Sequence, residues 1–516
     1  MVRTCLFWIS LYCDVSAGHS LCNVYQDQVG DNDFRWIKEY GYAWLTKGCW
    51  GVSRSHVPQA LQHIFHKSGY RYPKVVEAIQ ITRQIAGDGI LVANGTDHAR
   101  IRKIMNPAFT AAQLRTFIPL FRSCAGKLCG AWKERLRTVT TESDRTINVN
   151  SWFARAAFDM VGEAAFDYHC GALDDSENEV VKAYSNLFAD SLLFPTKITV
   201  LFRSLWGLIP NRLLRYVEYL PTRENIRFRH TLKVVNRLSA KIIAEKTKAR
   251  IQKKDEKERD MMSIFVKANA SEHPSTRLSD KEMISLMATL MLGANETTSS
   301  SLGWLCWELA KHPEWQKKLR EEIALIRDRV TARGDADFSA GDYDAMSNVL
   351  AAIKESMRLH PLVHTLARVA GCEDVIPLSQ PVISTKGDVV TEIPVSAGQT
   401  VIISICGYHR LKDVWGEDPD AFKPERFLVT REGQINVGIF ANLMSFSGGL
   451  RGCIGWRFAI LQTQAMLVEL LDNFEFAIPD DKPEIQRVPA GQMISMVRNK
   501  MHLGTQMPLK ISVLGG

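Results

Sequence analysis

Apolar residues along the chain recur mainly at intervals of three and four, which predicts a mainly α-helical protein. The pattern is clear over residues 96–125 and again over residues 151–166. The longest such stretch begins at Ser279, with a glutamate three residues later as in a capping box, and runs to His312. Because this predicted helix is apolar on most sides, we expect it to cross the interior over about 50 Å.

Patterns typical of β-strands are few and cluster between Val375 and Ile405. The sequence VVTEIPVSAGQTVIISI predicts two strands around a turn at residues 396–398, and therefore a small β region beside the helices. The mixed-charge run over residues 245–260 is typical of a solvated helix end and loop, although such a run also suits an acidic partner surface.

The chain shows no internal repeat and no low-complexity linker, so we predict one domain over residues 58–516, preceded by an N-terminal segment of residues 1–57. Within that segment, residues 6–13 are apolar, but Asp14 ends the run well short of the roughly 20 residues that span a bilayer. The run is interpreted either as the remnant of a membrane anchor or interfacial segment, or as an ordinary buried element.

Composition excludes several classes of protein. With 516 residues, 46% hydrophobic and 23% charged, the chain can bury a large core and is not intrinsically disordered. Its 11 cysteines include no C-x-x-C pair, which argues against a disulfide framework, a zinc ribbon and covalent c-type haem attachment. The net charge of +8 is too diffuse to indicate a nucleic-acid partner.

One cysteine near the C-terminus, Cys453, lies in a glycine-rich loop, FSGGLRGCIG, just before a predicted helix. Glycines let the backbone approach a flat ligand, and amide N–H groups at a helix start stabilise a thiolate. The loop therefore presents a soft anionic ligand. The alternative is a buried cysteine that packs as a small hydrophobic residue.

The loop resembles the haem-binding motif Phe-x-x-Gly-x-Arg-x-Cys-x-Gly of the cytochrome P450 superfamily at its five fixed positions, and the chain most resembles fungal, microsomal-type members. Those positions are Phe446, Gly449, Arg451, Cys453 and Gly455. The resemblance implies the P450 fold, with the long central helix crossing the face of a b-type haem. It also implies that the Cys453 thiolate is the axial ligand of the haem iron.

A second motif is Glu355-x-x-Arg358, followed by Arg426 within Pro-Glu-Arg-Phe. Alone, such a pair is usually a surface salt bridge of small energetic value. The pair and Arg426 resemble the family's ion network, which implies a structural role in holding the core that supports the haem loop.

A third motif, Gly-Ala-Asn-Glu-Thr-Thr, lies inside the long predicted helix and resembles the family's oxygen-binding motif, with Ala294 in place of the second glycine. An acid and a hydroxyl in an apolar interior are costly unless they are hydrogen-bonded or transfer protons. The resemblance assigns Thr297 as the hydroxyl on the oxygen side and Glu296 to proton relay. A threonine that only hydrogen-bonds to its own helical turn is the alternative.

The two propionates of a haem require donors, which are usually cations. His98 and Arg102 resemble the family's Trp-x-x-x-Arg, with histidine replacing tryptophan. Arg368 and Arg451 match two further positions with the same role. The resemblance therefore assigns all four side chains to haem binding.

The function that the resemblance implies is insertion of one oxygen atom from O2 into a lipophilic small molecule, by hydroxylation, epoxidation or further oxidation. The resemblance also implies that electrons come from NADPH through a separate cytochrome P450 reductase, which agrees with the lack of a dinucleotide-binding motif in the sequence. The expected location is the cytosolic face of the endoplasmic reticulum membrane, with the membrane surface as a further partner. Fungal likeness suggests secondary metabolism, such as terpenoid biosynthesis.

Apolar residues near these motifs are predicted to contact the substrate, namely Met291, Leu292, Val363 and Leu366. Three alternatives remain open at this point. They are an isomerase or dehydratase of peroxides with the same fold, a haem protein that senses or carries a gas, and a structural protein without haem.

Overall fold

Helices form most of the computed structural model, which describes residues 18–51, 53–56, 60–138, 145–174, 178–251, 260–384, 386–429 and 436–514. In these residues the α-helices run in chain order as α1 (His19–Val24), α2 (Asp31–Tyr40), α3 (Val76–Ala86), α4 (Gly95–Met105), α5 (Ala111–Arg115), α6 (Ile118–Arg137), α7 (Val149–Phe166), α8 (Glu179–Tyr184), α9 (Leu187–Leu192), α10 (Lys197–Ser204), α11 (Asn211–Leu214), α12 (Arg223–Ile251), α13 (Met261–Ser271), α14 (Asp280–Lys311), α15 (Pro313–Ala332), α16 (Ala340–Ala345), α17 (Ser347–Leu359), α18 (Ile405–Tyr408), α19 (Lys412–Trp415) and α20 (Trp456–Asn473).

Short strands form four small sheets in the described part of the chain. The strands are β1 (Trp44–Lys47), β2 (Ser53–His56), β3 (Thr146–Asn148), β4 (Thr365–Val369), β5 (Asp374–Ile383), β6 (Val389–Val395), β7 (Thr400–Ser404), β8 (Phe474–Ala477), β9 (Ile485–Ala490), β10 (Gln492–Val497) and β11 (Pro508–Val513). The sheet orders are β1-β2-β7-β4, β3-β11-β8, β5-β6 and β10-β9. The prediction of a mainly α protein with a small β region is therefore confirmed.

Helix α14 is the central element of the fold. Its capping box is confirmed, because the Ser279 hydroxyl accepts from the Glu282 amide while the Glu282 carboxylate accepts from the Ser279 amide. The helix packs against α7, α12 and α17. Gly303 permits the close approach of α7, since a Cβ there would overlap the side-chain amide of Asn150.

Two local predictions differ from the structure. The pattern over residues 96–125 is divided among α4, α5 and the start of α6, because Pro107 opens a 3-10 turn after α4 and Pro119 begins α6. The two strands predicted around residues 396–398 exist as β6 and β7, but they belong to different sheets. Strand β6 pairs with β5, whereas β7 pairs with β2 and β4.

The described part of the N-terminal segment packs on the rest of the chain, because β2 lies parallel to β7 and the Val29 amide donates to the Arg487 carbonyl at 2.8 Å. The apolar run of residues 6–13 lies outside the described residues, as do residues 252–259 of the mixed-charge run. Where the latter run is described, residues 245–251 end helix α12 as predicted.

Candidate active site

The Cys453 loop is held by its own backbone and by a segment from the start of the chain. The Cys453 amide donates to the Phe446 carbonyl at 2.8 Å, and the Gly452 amide donates to the Gly449 carbonyl at 3.0 Å. Gly449 has φ +61°, and a Cβ there would overlap the carbonyl oxygen of Phe65. Glycine is therefore required at this position of the motif. Helix α20 begins directly after the loop.

The thiol of Cys453 faces an internal space rather than the outer surface. The residue has exposed area, yet protein surrounds it closely enough for burial to raise the pKa of the thiol. The Gly455 amide and the charge of Arg102 act in the opposite direction, and they favour the thiolate. A sulfur in this setting becomes an anion when a further positive centre, such as a metal ion, lies against it.

Helix α14 borders an internal space as well. Gly293 is exposed in the middle of this buried helix, and a Cβ there would meet nothing within 4 Å. The Thr297 hydroxyl, one turn further on, donates to the Gly293 carbonyl at 2.5 Å. A threonine that only hydrogen-bonds to its own helical turn would make the same bond. The lone pairs of the Thr297 oxygen remain able to accept a further hydrogen bond. Beside it, burial raises the pKa of the Glu296 carboxyl to about 8, so the group holds a proton at neutral pH.

Four cations converge next to the cysteine loop: Lys74, Arg102, Arg368 and Arg451. Arg102 donates to the Gly452 carbonyl at 2.5 Å, and Arg451 donates to the Tyr72 carbonyl at 3.2 Å. Burial and the nearby charge of Arg451 lower the pKa of Arg368 to about 10. Burial, followed by Arg368 and Arg451, lowers the pKa of Lys74 to about 7.

Within the described ranges, none of these four cations forms an ion pair with a carboxylate. The Nε atom of Arg451 is buried without a hydrogen-bond partner. Because buried cations are costly when unpaired, the cluster is suited to an anionic ligand.

His98 lies one helical turn before Arg102 on α4 and is 3% exposed. Its Nδ1 atom is 2.9 Å from the hydroxyl of Tyr70. Burial, together with the charges of Lys74, Arg102 and Arg451, lowers the pKa of His98 to about 4. His98 is therefore a neutral ring among cations.

The Glu355 network is fully buried, with both Glu355 and Arg358 at 0% exposure. Arg358 donates to the Glu355 carboxylate in a bidentate pair at 2.7 and 2.8 Å, and Arg426 donates to the same carboxylate at 3.2 Å. The remaining Arg358 donors reach the carbonyls of His409 and Pro419 at 2.7 and 2.6 Å. The contacts expected from the motif are present, and they hold residues 409–426, the segment that precedes the Cys453 loop.

The structure brings the predicted haem-binding residues into one region but separates the predicted substrate contacts. Met291 is fully buried in the core and offers no accessible surface to a ligand, because its side of α14 packs on neighbouring helices. Leu292 is also buried, whereas Val363 is exposed and Leu366 is partly exposed. Lys74 and Tyr70 were missed by the sequence analysis, since neither belongs to a recognised motif.

These observations fit a haem. A thiol and an unobstructed stretch of helix both border internal space, and cations without acidic partners lie beside the thiol loop. A porphyrin has the same combination, with a metal that accepts a thiolate and propionates that accept hydrogen bonds. Cys453 would hold the iron, while Arg102, Arg368, Arg451 and His98 would hold the propionates.

Comparison with known proteins shows the family. Residues 38–503 match the family model for Cytochrome P450, so the chain belongs to the cytochrome P450 family. The resemblance inferred from the motifs is thereby confirmed.

Relatives are found among fungi. Cytochrome P450 monooxygenase 205 of Postia placenta is 33% identical over 92% of this chain and 87% of its own length. A ganoderic acid synthetase of Ganoderma lucidum is 31% identical, with 92% and 88% covered. Cytochrome P450 monooxygenase claO of Ampulloclitocybe clavipes is 29% identical, with 99% and 91% covered. The chain is therefore a cytochrome P450 monooxygenase of the fungal type.

In the part of the chain that the structure describes, none of the helices is both long enough and apolar enough to cross a bilayer.

Proposed function

We propose that the protein oxidises a lipophilic product of fungal secondary metabolism, such as a terpenoid, using O2 and electrons from NADPH delivered by a separate cytochrome P450 reductase. The observation that carries the proposal is the Cys453 thiol facing internal space beside cations that lack acidic partners. A relative named as a ganoderic acid synthetase supports the substrate class.

A b-type haem bound through Cys453 supplies thiolate-ligated iron for activating dioxygen. The chain's own residues do the rest. Arg102, Arg368 and Arg451 bind and orient the cofactor by its carboxylates. On α14, the Thr297 hydroxyl donates to the Gly293 carbonyl, and its lone pairs would accept a hydrogen bond from a protonated group at the haem, while the neutral Glu296 carboxyl would hold a proton for delivery.

Reconstitution of the purified protein with reductase, NADPH, O2 and a panel of terpenoids tests the function. We expect product formation that requires the reductase, and a thiolate-type reduced carbon-monoxide spectrum. Turnover of a peroxide without reductase would indicate the isomerase or dehydratase instead, and a haem spectrum with no turnover would indicate the sensor. Cys453→Ala should abolish the thiolate spectrum, and its persistence would refute the ligand assignment.

Thr297→Ala removes the hydroxyl while leaving the helix. We expect NADPH consumption to continue while product per NADPH falls about tenfold, because oriented proton delivery contributes on the order of 100-fold or more to such steps. Thr289→Ala, which removes a buried hydroxyl bonded to its own turn two turns earlier, is the matched control. Equal product per NADPH in both variants would contradict the proton-delivery role of Thr297.

The cytosolic face of the endoplasmic reticulum is the proposed location. Large apolar side chains are exposed together around α10 and α11, at Ile198, Leu208, Leu213, Tyr216 and Tyr219. Arginines on the same segment suit anionic headgroups. Flotation with vesicles that contain anionic lipids tests this surface, and absence of binding at low salt would contradict it.

A further inference from the structure

Tyr70 contacts two of the proposed haem-binding residues at once. Its hydroxyl is 2.9 Å from Nδ1 of His98, and the two rings meet edge to face. The guanidinium of Arg451 lies over the face of the Tyr70 ring, 4.8 Å from its centroid. Tyr70 therefore connects the cation Arg451 with His98, the single histidine among the proposed propionate donors.

Because His98 is neutral, the position of its one ring proton decides which nitrogen can donate a hydrogen bond to an anion. Burial lowers the pKa of His98 most, and the charges of Lys74, Arg102 and Arg451 lower it further, so the imidazole is neutral. A neutral imidazole carries its one proton on either Nδ1 or Nε2, and only the nitrogen with the proton is a donor. An anion beside the ring is attracted by an N–H and repelled by a lone pair.

We propose that Tyr70 is a positioning residue that fixes the tautomer of His98. Its hydroxyl donates to Nδ1, which places the ring proton on Nε2 and makes that nitrogen the donor to a haem propionate. Resting on the proposed haem-binding function, the inference explains how histidine replaces the fixed N–H of the family's tryptophan at position 98. An indole always carries its N–H at one position, whereas the histidine needs Tyr70 to place its N–H on Nε2.

Tyr70→Phe isolates the hydroxyl, because it keeps the ring under Arg451. The measurement is the rate of haem transfer from the ferric protein to excess apomyoglobin. We expect transfer to be about three- to tenfold faster, which corresponds to one ordinary hydrogen bond. Tyr42→Phe is the matched control, because it removes a tyrosine hydrogen bond to Asp413 at 2.6 Å from another part of the molecule. Transfer at the wild-type rate in Tyr70→Phe would overturn the proposal.

His98→Trp separates tautomer control from a merely structural hydrogen bond. The indole N–H is a donor without any partner, so adding Tyr70→Phe to this variant should change the transfer rate less than about twofold. An equal acceleration in the wild-type and His98→Trp backgrounds would overturn the proposal.

If His98→Trp takes up no haem, His98→Phe provides the second background. This variant has no nitrogen to orient, so it should lose haem at least as fast as Tyr70→Phe, and the double variant should lose it no faster. A further acceleration in the double variant would count against the proposal.

The reduced carbon-monoxide spectrum of each variant keeps this inference distinct from the proposed function. A wild-type protein without the thiolate spectrum would contradict haem-thiolate function itself. A normal spectrum in Tyr70→Phe, together with unchanged haem transfer, would contradict only the tautomer assignment.

Discussion

Two clusters of buried charge among the described residues differ in whether the chain itself completes them. In the first, the Glu355 carboxylate accepts from Arg358 and Arg426, and the remaining Arg358 donors reach backbone carbonyls. In the second, Lys74, Arg368 and Arg451 lie together without an acidic partner in the described residues, and the pKa of each is lowered. The chain therefore completes the first cluster itself, whereas the second is suited to a ligand that brings its own negative charge.

The largest expected effect comes from breaking the complete cluster. Arg358→Ala removes the bidentate partner of the buried Glu355 carboxylate, which keeps only Arg426 and a backbone amide, and it leaves the carbonyls of His409 and Pro419 without this donor. We therefore expect the free energy of unfolding to fall by about 3–5 kcal/mol. Urea unfolding measures the loss. Arg137→Ala, which removes an exposed arginine paired with Glu134, should cost less than about 1 kcal/mol. Similar losses in the two variants would contradict the difference between buried and exposed pairs.

Smaller effects are expected from a substitution in the incomplete cluster, which should stabilise the haem-extracted protein but weaken haem binding. Arg368→Met removes a buried cation, so the haem-extracted protein should gain about 1–2 kcal/mol in its free energy of unfolding. The haem-bound variant should lose haem about 10- to 100-fold faster, because a charge-assisted hydrogen bond is gone. Urea unfolding and haem transfer measure the two effects. Destabilisation of the haem-extracted protein would show that Arg368 is structural, like Arg358.

The smallest expected effect is a pH dependence. The pKa of Lys74 is lowered from 10.5 to about 7 in the folded protein, so between these values the unfolded chain binds more protons. Stability of the haem-extracted protein therefore rises with pH in this window, by at most about 1.4 kcal/mol per pH unit, the slope for one whole proton.

Urea unfolding of the haem-extracted protein at about pH 7, 8 and 9 measures this slope. Lys74→Met should remove the contribution, whereas Lys103→Met, at an exposed lysine paired with Glu272, should retain it. Haem should reduce the slope, because propionates favour the charged lysine. An identical slope in wild type and Lys74→Met would contradict the assignment.

Local signals in the sequence predict the elements better than their assembly. The capping box at Ser279 and Glu282 is contained within four residues, and it predicts the start of α14 correctly. Strands β6 and β7 are also predicted, but β7 pairs with β2, more than 300 residues earlier. Hydrophobic periodicity carries no information about such a partner.

The same distinction holds at the candidate site. Arg102 and Cys453 belong to motifs with fixed spacing, so resemblance selects them from the sequence. Lys74 and Tyr70 reach the site only through tertiary contacts, with three loop carbonyls in one case and with His98 and Arg451 in the other. Those contacts follow from the fold and have no local pattern.

The contact between Gly449 and the Phe65 carbonyl has a consequence for biosynthesis. Phe65 leaves the ribosome more than 300 residues before Gly449, its partner in the Cys453 loop. Strand β11, which ends at Val513, must then pair with β3 near residue 147. The nascent chain therefore leaves the cofactor pocket incomplete until residue 449 has left the ribosome, and the β3–β11 pair incomplete until residue 513 has, so we expect porphyrin capture only after those residues have emerged.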